Sequence, residues 1–198
     1  MKNKPSYLHL FGNPEENFYT LGKKDKDSYA ETIHQISMLC ARNEGMGKVI
    51  KLVTDLTSRH KKRYTARHLK ELEAYAQGVE KPLNEVLFAL LLPEVVAAFN
   101  KWLPNLMSII PGCSSLFLRD DKNGGVIHGR ILDYALSGPF EKNERTILYD
   151  FDDRYKTFSL GSSGLVYPSL TSINEKGLTM ALHYKHGRYF NKNGESIF

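Results

Sequence analysis

The spacing of apolar residues changes once along this chain, at Pro111-Gly112-Cys113, and that change limits the folds open to it. Before this point apolar residues recur at helical spacing. After it, short runs separated by turn-forming residues are typical of strands. Helices followed by strands predict an α+β fold. We therefore place a boundary here, with a helical region over 1–112 and a β-rich region over 113–198.

The first region carries patterns for several helices. Asp27 or Ser28 is expected to cap the first helix and Thr65 to begin the third. Pro93 is expected to separate the last two, because proline interrupts a helix interior. The expected segments are 28–43, 49–56, 65–78, 83–92 and 93–102.

The second region carries patterns for short strands. Asn123-Gly124 lies between the first two and is typical of a hairpin turn. A second tight turn is expected over 174–177, and the stretch 189–198 resembles an unfinished hairpin. The expected strands are 114–119, 126–134, 146–151, 157–160, 170–173 and 178–184.

Composition narrows the class of protein further. The 198 residues are 41% hydrophobic and 25% charged, which is typical of a globular protein. No apolar run approaches the roughly 20 residues of a membrane span, and the N-terminus lacks the apolar stretch of a signal peptide. Two cysteines do not make a disulfide framework. We therefore expect a cytoplasmic protein without a transmembrane segment.

The net charge of +5 does not identify a partner. Basic residues cluster over 59–70, where they would contact phosphate in a nucleic-acid-binding protein. No nucleic-acid motif accompanies this cluster, so we interpret it as a solvated link between helices and expect no nucleic-acid partner. The histidine spacing indicates no metal site, and no cofactor motif is present.

The hairpin would bring three chemically distinct side chains together. Folding about its turn places Cys113 opposite residues near 132–134, beside Arg130 and Asp133. A nearby cation lowers the pKa of a thiol and favours the nucleophilic thiolate. A carboxylate can orient the guanidinium or an amine. This grouping indicates a nucleophilic cysteine, although a lone strand cysteine is more often a small buried apolar residue.

Two motifs carry a resemblance to a known family. The stretch 112–115, Gly-Cys-Ser-Ser, and the stretch 128–134, His-Gly-Arg-Ile-Leu-Asp-Tyr, resemble the N-terminal nucleophile (Ntn) amide hydrolases. The second is most similar to acid ceramidase and N-acylethanolamine acid amidase. The stretch 167–178 resembles choloylglycine hydrolases, and 71–78 resembles the pro-region of acyl-coenzyme A:6-aminopenicillanic acid acyltransferase.

The resemblance implies an autoprocessing enzyme. The chain would cut itself between Gly112 and Cys113, and the thiol of Cys113 would then attack a linear amide, with its own α-amine as base. The two groups have ordinary pKa values of about 7.7–8.0 and about 8.5, so proton exchange between them is nearly balanced. Arg130 and Asp133 would position the nucleophile and the substrate. The implied fold is the αββα sandwich of the family.

The chain departs from the family pattern in two places. His183 stands where the family has an oxyanion-stabilising Asn, so we assign that role to His183 as an expectation. The family's second Asn and an Arg would lie beyond Phe198. We therefore expect a truncated member with an incomplete sandwich, inactive by itself.

The expected substrate is a small acyl amide with an apolar acyl chain. Apolar side chains crowd the expected rim, and we assign substrate binding to Leu132, Tyr134 and Tyr167. The resemblance leaves hydrolysis and transfer of the acyl group to an acceptor amine both open. Assembly into a homo-oligomer is also open. The alternative is a non-catalytic relative that serves as a scaffold.

Overall fold

The computed structural model describes residues 6–41, 57, 61–99, 112–120, 122–133, 142–166 and 170–183. These ranges contain three α-helices: α1 (Pro14–Ala41), α2 (Ala66–Gly78) and α3 (Leu83–Phe99). A 3-10 turn spans Lys61–Arg63. The strands are β1 (Ser6–Phe11), β2 (Gly112–Asp120), β3 (Gly125–Asp133), β4 (Glu144–Asp150), β5 (Thr157–Ser162), β6 (Thr171–Asn174) and β7 (Thr179–Ala181). The predicted α+β class is confirmed.

The strands form two sheets. A five-stranded sheet has the order β1-β4-β5-β6-β7, with β1 parallel to β4 and the other pairs antiparallel. Strands β2 and β3 form a separate antiparallel ribbon. The larger sheet therefore joins a strand from the N-terminal region to strands that follow Cys113.

Strand β1 was not among the predicted elements. In the structure its side chains alternate in exposure, since Leu8 and Leu10 are less exposed than Tyr7 and His9. The parallel pairing with β4 places Leu8 opposite Ile147 and Leu10 opposite Tyr149. Residues before 112 thus contribute a strand as well as helices.

The hydrophobic core lies between the helices and one face of the five-stranded sheet. On β4, Arg145, Ile147 and Tyr149 are buried while the residues between them are partly exposed. Fully buried apolar side chains each stabilise the fold by roughly 1.5–3 kcal/mol. The cluster comprises Leu10, Phe18, Leu21, Tyr29, Leu72, Tyr75, Ala76, Val79, Val86, Leu87, Ala89, Leu90, Ile147, Tyr149, Phe151 and Val166.

Helix α1 begins earlier than predicted. The side chain of Asn13 accepts a hydrogen bond from the backbone N–H of Glu16 at 3.2 Å, and Pro14 occupies the first helical position. The predicted caps, Asp27 and Ser28, lie inside the helix, so that prediction was wrong. The sequence did not indicate a helix before residue 27, because Gly22 has a low helix propensity and the residues after it are polar.

Gly22 has a packing reason for its place in α1. A methyl group there would lie 3.0 Å from the Cα of Gly78 on α2 and closer still to the carbonyl oxygen of Tyr75. The backbones of α1 and α2 therefore cross in contact at a pair of glycines. This contact outweighs the low helix propensity of glycine, which costs about 1 kcal/mol relative to alanine.

The predictions for α2 and α3 had different outcomes. The side chain of Thr65 accepts from the backbone N–H of His68 at 3.3 Å, so the predicted start of α2 is confirmed. Helix α3 runs through Pro93, so the predicted break there was wrong. The segments 49–56 and 189–198 lie outside the described residues.

Two buried ion pairs connect the helices to the sheet side. Asp25 of α1 pairs with Arg145 of β4, and both side chains are almost completely buried. Asp25 also accepts from the Tyr75 hydroxyl at 3.0 Å and from the Gly164 amide at 3.2 Å. Glu71 of α2 pairs with Arg154 after β4. Removing one partner of the almost fully buried Asp25–Arg145 pair would leave an uncompensated buried charge.

Candidate functional site

The β2–β3 ribbon is organised by its turn. The Asp120 carboxylate accepts from the backbone amides of Lys122 and Asn123 at 3.1 and 3.3 Å, and Gly124 has a φ of +70°. A hydrogen bond from the Asn123 side chain lowers the pKa of Asp120. Glycine accepts positive φ without steric cost, so the sequence favours a turn at this point.

The turn sets the register at the other end of the ribbon. Cys113 pairs with Leu132, and the next pair outward is Gly112 with Asp133. Ser115 pairs with Arg130, and Phe117 with His128. Because strand side chains alternate between faces, Cys113, Ser115, Phe117, His128 and Arg130 share one face of the ribbon.

Arg130 is the centre of this face. Its Nη2 donates to the Sγ of Cys113 at 3.5 Å and to the carbonyl oxygen of Leu182 at 2.6 Å. Its Nη1 donates to the Oγ1 of Thr171 on β6 at 3.1 Å. A planar guanidinium presents several donors in a rigid fork, so one side chain contacts the ribbon and the larger sheet together.

One donor of Arg130 is left over. Its Nε is buried and has no hydrogen-bond partner among the described residues. A buried donor without a partner costs roughly 1–3 kcal/mol. Cys113 beside this guanidinium is a half-buried free thiol.

A second cluster lies beside the first on the same face. The Oγ of Ser115 lies 2.6 Å from the Nε2 of His183 and 3.1 Å from the Nε2 of His128. The His128 ring also stacks on Phe117, with centroids 4.1 Å apart and planes at 16°. His183 follows β7, so this cluster also joins the ribbon to the larger sheet.

The structure brings some of the predicted site residues into contact, whereas the side chains of four others are not described. Cys113 and Arg130 are in contact, and the described hydrogen bond of His183 is to Ser115. Asp133 and Leu132 take their places in the register at the open end of the ribbon; their side chains are not described, and Tyr134 and Tyr167 lie outside the described residues. The roles of these four remain predictions.

Three participants were missed by the sequence analysis as site residues: Thr171, Ser115 and the carbonyl group of Leu182. Thr171 and Leu182 lie far along the chain from Arg130, and no spacing rule relates them. Ser115 was visible only as part of the motif after Cys113. Only the tertiary structure identifies these three residues as part of the site, because they meet where the ribbon contacts β6 and the end of β7.

The ribbon also exposes apolar side chains on its opposite face. Leu116, Leu118, Ile127 and Ile131 alternate with the residues of the Cys113 face, and each is at least half exposed. The Cys113 face adds exposed Phe117 and Val126 beside the polar cluster. The apolar face is therefore opposite the thiol, whose own face is mixed because Ser115, His128 and Arg130 lie on it.

Comparison with known proteins assigns no family. No protein-family model matches the chain, and no curated protein matches its sequence. Within the described ranges, no helix is both long and apolar enough to cross a membrane. The same ranges hold no cluster of three or more His, Cys, Asp or Glu side chains arranged for a metal ion. A function must therefore be argued from the site itself.

Proposed function

We propose that this chain carries the nucleophile of an autoprocessing cysteine amidase of the Ntn type, which acts on linear amides through a thioester on Cys113. One observation supports the proposal above all: the Arg130 guanidinium lies 3.5 Å from the Cys113 Sγ. A cation beside a thiol favours the thiolate, which is the nucleophilic form.

Processing would make the catalyst. The Sγ of Cys113 attacks the carbonyl carbon of Gly112, the bond from that carbon to the Cys113 nitrogen breaks, and water hydrolyses the resulting thioester. The products are a chain of residues 1–112 and a chain that begins at Cys113. The freed α-amine is then the base nearest to the thiol.

Turnover would follow the same chemistry on a substrate. The α-amine takes the thiol proton, the thiolate attacks the amide carbonyl, and the proton passes to the departing amine. Water then releases the acid, or a second amine takes the acyl group. The Arg130 guanidinium is the expected donor for the substrate carbonyl or for a carboxylate beside it.

We expect the acyl group to be an apolar chain that contacts the exposed apolar side chains of the ribbon. Of these, Phe117 and Val126 lie on the Cys113 face, toward the turn. Each buried methylene contributes about 0.8 kcal/mol, so specificity is expected to rise with chain length. A cytoplasmic location, the Ntn sandwich and a homo-oligomeric assembly form part of the same proposal.

Expression of the protein tests processing. Intact-mass spectrometry is expected to find a fragment of residues 1–112, and Cys113→Ala is expected to stay whole. Ser114→Ala is the matched control, because it changes a neighbouring small side chain and leaves the thiol. Wild-type protein that stays whole after long incubation at mildly acidic and neutral pH would contradict the proposal.

An assay with acyl amides tests turnover. Two-carbon and twelve-carbon acyl donors are compared, each with and without an acceptor amine, and free acid and new amide are both quantified. Absence of both products from every donor supports the alternative, a scaffold without catalysis. Equal kcat/KM for the short and long donors would contradict an acyl-binding surface.

A further inference from the structure

The cluster of Ser115, His128 and His183 goes beyond the proposed amidase chemistry, which assigns a role to His183 alone, as an oxyanion donor. The two imidazoles come from positions 128 and 183, far apart in the chain, and approach the same oxygen from β3 and from the end of β7. Their Nε2 atoms lie 3.1 and 2.6 Å from the Ser115 Oγ. Two imidazole nitrogens therefore lie within hydrogen-bonding distance of one hydroxyl oxygen.

We propose that His128 and His183 chelate a divalent transition-metal ion of the zinc type, with the Ser115 hydroxyl beside it and water completing the coordination. Neutral imidazole is a common ligand for zinc and copper ions, whereas magnesium and calcium prefer oxygen. The site uses neither Cys113 nor Arg130, so its test does not require amidase activity.

Both Nε2 atoms already lie near one oxygen atom, at 2.6 and 3.1 Å. A metal–nitrogen bond is about 2.0–2.1 Å, so side-chain rotation has to bring both nitrogens within that distance of one ion. No partner for either Nδ1 is found among the described residues, so each ring is free to carry its proton there and to present the Nε2 lone pair to the ion. His183 is exposed and His128 is partly exposed, so an ion has access from solvent.

The position of the cluster gives chelation a structural consequence. His128 belongs to the ribbon and His183 to the chain that leaves the larger sheet, so a shared ion would fasten the two sheets together. The junction made by Arg130 with Thr171 and Leu182 lies at the same place. Metal binding is therefore expected to stabilise the folded chain, because an ion that binds only the folded form raises its unfolding free energy.

A zinc titration of the full chain without an affinity tag tests the site. The titration uses Cys113→Ala protein, so that the thiol neither binds zinc nor processes the chain. Calorimetry is expected to show binding in the micromolar range, and thermal unfolding to show a higher Tm that returns to its starting value with a chelator. His128→Gln and His183→Gln, each in that background, are each expected to weaken binding at least about tenfold.

His9→Gln is the matched control, because His9 is an exposed strand histidine far from the site. It pairs with Asp150 and lies on β1, at the opposite edge of the five-stranded sheet from β7. It is expected to bind zinc as the parent does. Equal zinc affinity in the parent and in both site variants would overturn the proposal, as would no binding at all.

A second measurement does not depend on how the variants fold. Diethyl pyrocarbonate modifies accessible histidines, and peptide mass spectrometry locates the product. Zinc is expected to protect His128 and His183 in the Cys113→Ala parent and to leave His9 reactive. Unchanged modification of both site histidines in saturating zinc would overturn the assignment.

Discussion

Arg130 of β3 donates to the carbonyl oxygen of Leu182 at 2.6 Å with the same nitrogen that lies 3.5 Å from the thiol of Cys113. One side chain therefore contacts both the thiol of Cys113 and the chain that leaves β7, and so links the ribbon to the larger sheet.

Arg130→Gln is expected to slow alkylation of Cys113 by iodoacetamide several-fold at neutral pH, because the cation beside the sulfur is lost. Peptide mapping separates Cys113 from Cys40. Arg119→Gln, which removes a guanidinium elsewhere on the ribbon, is the control and is expected to leave the rate unchanged. An equal rate in the Arg130 variant would show that the guanidinium does not activate the thiol.

Asp25→Asn is expected to destabilise the protein by about 3–5 kcal/mol, because it leaves the Arg145 charge buried without its counterion. Urea unfolding measures the loss. Glu80→Gln removes one partner of the exposed pair with Lys26 and is expected to cost far less, because solvent screens that pair. Similar losses of unfolding free energy in the two variants would mean that burial does not determine how much the Asp25–Arg145 pair contributes to stability.

Gly22→Ala is expected to destabilise by about 1–3 kcal/mol, although alanine is the better helix former. The added methyl group meets the backbone of α2, which moves only if the two helices separate. Gly125→Ala is the control, since a methyl group there meets nothing within 4 Å. A stabilised Gly22 variant in urea unfolding would contradict the close helix crossing.

Alkaline pH is expected to destabilise the fold through its buried tyrosines. Burial raises the pKa of Tyr29, Tyr75 and Tyr149 above the ordinary value of about 10. Above that pH the unfolded chain loses these protons while the folded chain keeps them. The folded state then binds more protons, so stability falls as pH rises.

Tyr149→Phe isolates one part of this effect. The Tyr149 hydroxyl is buried without a partner among the described residues, so its removal is expected to stabilise by up to about 1 kcal/mol near neutral pH. Above pH 10 the unfolding free energy of the variant is also expected to fall less steeply than that of the wild type. The difference between the two slopes is up to about 1.4 kcal/mol per pH unit. Parallel urea-unfolding curves at pH 9 and pH 11 check both outcomes, and an unchanged slope would contradict the burial argument.

Local sequence determined the ribbon and most of the strands. The turn residues around Asn123-Gly124 and the flanking alternation predicted the hairpin and the approach of Arg130 to Cys113, because both features act over a few neighbouring residues. Thr65 similarly marked the start of α2. Only the tertiary structure decided the rest: Gly22 belongs in a helix because α2 crosses there, β1 is a strand because β4 pairs with it, and Ser115 meets His183 where the ribbon reaches the end of β7. Contacts between distant segments leave no periodic signal in sequence, since their residues are selected by shape and charge complementarity across the fold.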